Sequence, residues 1–121
     1  MSKKILVVDD DVQLVDALQI RLEAKGYEVV TAYDGQKALE KVQNQMPDLV
    51  ILDLMMPKLS GEDVCREIRK DEKAANLPII MLTGKSSDID KVVGEVIGAS
   101  CYMSKPFEDD ELLEKINELL T

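Results

Sequence analysis

The amino-acid sequence predicts an α/β fold: a doubly wound (βα)5 sandwich built around a five-stranded parallel sheet. Two observations carry that expectation. Short runs of β-forming residues alternate with stretches of helical periodicity along the whole chain. Three of those runs are almost wholly apolar, as strands covered by helices on both faces must be. Right-handed crossovers between successive parallel strands then place helices on each side of the sheet.

The elements follow in order. KILVVD (4–9) is the first strand, and Asp11 can cap the helix behind it. That helix, over 12–25, carries Val12, Val15, Leu18 and Leu22 at intervals of three and four and ends at Gly26 in the C′ position. EVVTA (28–32) is the second strand; Asp34 can cap GQKALEKVQNQ, which stops before Pro47. DLVILD (48–53) is the third strand, after which Ser60 can cap GEDVCREIRKDE. PIIMLT (78–83) is the fourth. The stretch SSDIDKVVGEVIG (86–98) predicts a weaker helix, because Gly94 and the β-branched valines lower its propensity. CYMSK (101–105) is the fifth strand, and FEDDELLEKINELL (107–120) closes the chain as a helix with acids in its first turn. With no linker, low-complexity tract or second pattern, residues 1–121 read as a single domain.

Composition removes several function classes. The formal charge is −9, from 24 acidic and 15 basic residues with no basic stripe, which argues against direct nucleic-acid binding and suits a protein that holds a cation. The chain has no histidine, so Ser-His-Asp and Cys-His catalysis are excluded and a zinc site with Cys65 and Cys101 is not expected. Those two cysteines read as reduced. No apolar run is long enough to span a bilayer and the N-terminus does not read as a signal peptide, so the expected compartment is the cytoplasm, without membrane association.

All strands of such a sheet end at one edge, where ligands bind. The residues just past each apolar run therefore belong together: Asp9, Asp10 and Asp11 after the first, Asp53 after the third, Thr83 and Gly84 after the fourth, Lys105 and Pro106 after the fifth. Each has a plain reading by itself, as a helix cap, a turn former, a β former or a solvated lysine. Together they make a different proposition. Carboxylates brought close repel and need a cation; hard oxygen ligands with open positions suit Mg²⁺, with Mn²⁺ as the second candidate. A metal, a lysine and a hydroxyl around a further carboxylate make a site for phosphoryl transfer, with Asp53 as the nucleophile.

With those residues in place, the chain resembles the receiver domains of two-component response regulators, close in plan to the single-domain chemotaxis regulators. The likeness rests on Asp9-Asp10 after ILVV, Asp53 within LVILDLMMPKLSG, Thr83 within IIMLTG and Lys105 within GASCYMSKPF. The resemblance implies a flavodoxin-like sheet of strand order 2-1-3-4-5. It implies Mg²⁺ held by Asp10, Asp53 and the Met55 backbone carbonyl, with Asp9 helping directly or through water. It also implies phosphorylation of Asp53 by the phosphohistidine of a sensor histidine kinase or phosphotransfer protein, with Lys105 and Thr83 holding the phosphoryl oxygens. Coupled movement of Thr83 and Tyr102 would reshape the face made by the 88–97 helix, the fifth strand and the last helix. Downstream targets would read that face, or an output domain would, and a phosphorylation-dependent homodimer could form on it. The domain would be a phosphoacceptor rather than an enzyme in the usual sense. A cis Lys105-Pro106 bond is a further implication.

Gly84 stands where alanine is commoner in these domains, and Met55 and Lys85 occupy positions that influence phosphoryl lifetime. The rivals are a phosphorylation-independent interaction module on the same fold, and an Asp-nucleophile phosphatase of the haloacid-dehalogenase type. The latter wants an acid two residues past the nucleophile, where this chain has Met55. TGKSS (83–87) mimics the end of a P-loop, but Ile79 replaces the required glycine. An FMN carrier would be repelled by the three acids after the first strand.

Overall fold

The computed structural model describes residues 2–84 and 98–121. Its elements are β1 (Lys4–Val8), α1 (Val12–Ala24), β2 (Glu28–Ala32), α2 (Gly35–Gln45), β3 (Leu49–Asp53), α3 (Gly61–Lys70), β4 (Ile79–Thr83), β5 (Cys101–Ser104) and the C-terminal helix α4 (Asp109–Leu120). Lys85 and all but the last residue of the helix expected over 86–98 lie outside the described residues.

The five strands form one sheet in the order β2-β1-β3-β4-β5, every neighbouring pair parallel. Leu6 sits across from both Val30 and Val50, Ile51 across from Ile80, and Leu82 across from Met103. Because side chains alternate along a strand, the three central strands feed two cores at once. Leu6, Val8, Val50, Leu52, Ile79 and Met81 point toward Ala38 and Val42 of α2 and Val64 and Ile68 of α3. Ile5, Val7, Leu49, Ile51, Ile80 and Leu82 point toward Val15, Leu18 and Leu22 of α1 and Leu112 and Ile116 of the C-terminal helix. Each fully buried Leu or Ile contributes roughly 1.5–3 kcal/mol, so the sheet is held rigidly between its two layers.

The expected caps are present. Asp11 accepts from the Leu14 N–H at 3.2 Å and Asp34 from Lys37 at 2.8 Å. Ser60 and Asp63 form a reciprocal capping box. Gly26 takes the left-handed conformation, φ 94°, that stops α1. Several ends differ from the sequence expectation: β1 stops at Val8 rather than 9, α1 stops at Ala24 rather than 25, β3 starts at Leu49 rather than 48, and β4 starts at Ile79 rather than 78. α3 stops at Lys70 rather than 72, because the Asp71 backbone turns extended and its carboxylate accepts from the Lys73 N–H at 3.0 Å. β5 stops at Ser104 rather than at Lys105, which leads into the turn at Pro106. The last helix starts at Asp109 rather than 107: Glu108 takes the N-cap position, and Phe107 packs on the core ahead of it.

Candidate functional site

The parallel strands deliver their ends to one edge, and the edge is built from the backbone outward. The Asp9 N–H donates to the Ala32 carbonyl, Leu54 to Leu82, and Lys105 to Thr83, so the first residues past β1, β3 and β5 are held in strand-like register. Gly61, the first residue of α3, donates to the Leu54 carbonyl at 2.9 Å. A Cβ at Gly61 would fall on the carbonyl of Asp53, so only glycine lets this helix begin directly against the end of β3. The sequence places Gly61 as the first residue of a helix capped by Ser60, but gives no sign of what its backbone meets.

Asp9 is 1% exposed and Asp53 4%. Asp9 accepts from the Asp11 N–H at 2.9 Å through one oxygen and from the Lys105 ammonium at 2.7 Å through the other. The same ammonium lies 3.3 Å from Asp53. Asp10 is exposed, yet a carboxylate oxygen from each of Asp9, Asp10 and Asp53 falls within 4.8 Å of the others. Burial, together with the neighbouring Asp9 charge and more weakly that of Asp10, pushes the Asp53 carboxyl up to about 6 against the opposing pull of Lys105. Lys105 is partly desolvated, but its hydrogen bond to Asp9 and the charges of Asp53 and Asp9 outweigh that and raise its pKa. Among the described residues, the three acids gather around one ammonium, which contacts two of them.

Thr83 is buried, and its hydroxyl donates to the Met103 carbonyl of β5 at 3.4 Å. Tyr102 is half-buried and packs against the core layer under α2 and α3. Met55 opens the loop beyond β3 with its side chain 73% exposed. The Lys105–Pro106 bond is cis. The structure thus gathers Asp9, Asp10, Asp53 and Lys105 into one cluster, leaves Met55 exposed two residues past Asp53, and turns the Thr83 hydroxyl toward β5.

The family model of the response regulator receiver domain matches residues 5–117. The chain belongs to that family. This receiver domain is 47% identical over 120 residues to the alkaline phosphatase synthesis transcriptional regulatory protein PhoP of Bacillus subtilis, covering 99% of this chain but 49% of that protein. It therefore spans about half the length of that curated relative. Among solved structures it is similar to the chemotaxis protein CheY4 of Vibrio cholerae, with a TM-score of 0.94 at 34% identity over 99% of this chain and 100% of that one. A receiver domain of a histidine kinase from Syntrophus aciditrophicus superposes with a TM-score of 0.91 at 30% identity, covering 98% of this chain and 90% of that one. The receiver domain has no helix, among its described residues, long and apolar enough to cross a membrane.

Proposed function

We propose that this receiver domain is a phosphoacceptor whose nucleophile is Asp53. The observation that carries the reading is the Asp53 carboxylate itself, buried at the end of β3 and placed 3.3 Å from an ammonium that Asp9 anchors. A buried acid with a pKa raised to about 6 is the kind of perturbed group that functional sites contain. In the transfer, an Asp53 oxygen bonds to the phosphorus of a partner's phosphohistidine as the P–N bond breaks. The imidazole leaves with the electron pair and takes up a proton. Lys105, already positioned by Asp9, neutralises the phosphoryl oxygens.

The acidic cluster fits a divalent cation: its ligand atoms converge, its net charge is negative, and its donors are hard oxygens. Asp10, Asp53 and the Met55 backbone carbonyl would hold Mg²⁺, with Asp9 contributing from its place beside Lys105. The ion would supply Lewis-acid neutralisation of the charge on the transferring group. The Asp9 oxygens are both engaged within the protein, which favours a helping rather than a leading role for it.

The signal would leave through Thr83 and Tyr102. Turning the Thr83 hydroxyl from the Met103 carbonyl to a phosphoryl oxygen would release a β5 hydrogen bond next to Tyr102. The partners would be a sensor histidine kinase or phosphotransfer protein upstream and a protein target or output domain downstream. The reading is tested by intact-protein mass after incubation with acetyl phosphate or phosphoramidate, with and without Mg²⁺, on wild type and Asp53→Asn. One added phosphoryl group that needs both Mg²⁺ and Asp53 is the expected result. No addition to a folded protein would favour a phosphorylation-independent interaction module.

A further inference from the structure

The opposite edge of the sheet holds a feature that phosphoryl transfer does not use. A groove of about 650 Å³ opens between the C-terminal end of α2, the start of β3 and the loop from α3 to β4. Val42, Pro47 and Leu77 form its apolar floor, while Asp48, Asp71 and Glu72 stand among its lining residues with Lys73 as the one cation.

Met46 lies on the same groove, with an unusual backbone and an exposed side chain. It ends α2 in the left-handed conformation, φ 48°, where glycine or asparagine is favoured. It also exposes 68% of its surface, as Met55 beyond β3 does at 73%, whereas Met56, Met81 and Met103 are buried. A residue in an unfavoured backbone conformation that presents a large, adaptable apolar side chain beside a groove is poorly explained by stability.

We propose that this groove docks a partner protein segment that offers an apolar side chain flanked by lysine or arginine. Charge complementarity selects that chemistry. Three carboxylates around an apolar floor attract cations on an apolar stem and repel the phosphates of nucleic acids and acidic lipids. The groove adjoins the beginning of β3 and Asp53 stands at its end, so a segment seated here leaves the acidic edge open to a second partner. The proposal is independent of the phosphoacceptor reading.

The test pans phage-displayed random dodecapeptides against the 121-residue chain. Enriched peptides are then synthesised, titrated against ¹⁵N-labelled protein, and measured on variants. The expected peptides carry apolar anchors with Lys or Arg and shift the amides of 42–48 and 71–77. Their affinity falls about tenfold with Met46→Gly, whose melting temperature stays at or above that of wild type, and about threefold with Glu72→Lys. Failure to enrich peptides that map to the groove, enrichment of acidic or purely apolar ones, or full affinity in Met46→Gly would overturn the proposal.

Discussion

The two edges of the sheet solve opposite problems with similar residues. At the edge where the strands begin, Lys4 and Arg69 match polar groups beside the groove at Met46. The Lys4 N–H donates to Asp48 at 2.7 Å, and its ammonium reaches the Gln45 carbonyl at 3.0 Å and Glu28 at 3.4 Å. Arg69 ties four backbone carbonyls together, those of Gly98 at 2.9 Å, Ala74 at 3.5 Å, Ala75 at 3.2 Å and Leu77 at 2.7 Å. At the edge where the strands end, Asp9 and Asp53 share one lysine beside the exposed Asp10, and Asp53 is held partly against its own ionisation. The Lys4 and Arg69 contacts serve stability; the acidic cluster around Asp53 keeps an excess of negative charge that stability alone would not select.

The sharpest way to break this contrast is Lys105→Met, which removes the ammonium from Asp9 and Asp53. Phosphorylation of Asp53 by acetyl phosphate should slow about a hundredfold, read from time courses of intact mass. A rate within a fewfold of wild type would show that the lysine is only structural.

Arg69→Ala should do the reverse. Losing charge-assisted hydrogen bonds to half-buried carbonyls should cost about 2–3 kcal/mol in urea unfolding while the phosphorylated fraction at saturation is retained. Equal losses in both measurements would mean that the two edges are coupled.

Asp53→Asn should stabilise the fold, and the sign can be worked out. Folding raises the Asp53 pKa from 3.8 to about 6, so the native state binds this proton more tightly than the unfolded chain. Its contribution to stability is therefore complete below pH 4 and is lost as the pH rises through 6. At pH 7 the asparagine variant should be more stable by about 1–2 kcal/mol, after allowing for the lost Lys105 contact, and the gain should shrink toward zero near pH 4. Urea midpoints across that range check it, and Mg²⁺ should narrow the gap at pH 7 by stabilising the wild type more.

The smallest effect is expected at Arg21, whose exposed ion pair with Asp109 joins α1 to the start of the C-terminal helix. Arg21→Ala should change stability by about 0.5 kcal/mol or less, as surface pairs do.

Local chemistry made much of this readable from the residues in order. The strands announced themselves because a doubly covered strand needs an unbroken apolar run. Asp11, Asp34, Ser60 and Gly26 announced the helix ends because capping depends on neighbours three or four residues away. Once parallel strands were expected, the edge that collects Asp9, Asp10, Asp53, Thr83 and Lys105 followed from topology.

Tertiary structure alone decided how those residues divide the work. Consecutive acids look equivalent in sequence, but β1 buries Asp9 and leaves Asp10 exposed, and Lys105 finds Asp9 across 96 positions of chain because the strand order brings their ends together. The same holds for Gly61 against Asp53, for Arg69 on four carbonyls and for the groove beside Met46. Each is set by contact between segments distant in sequence, and neither propensity nor periodicity, being local, carries that information.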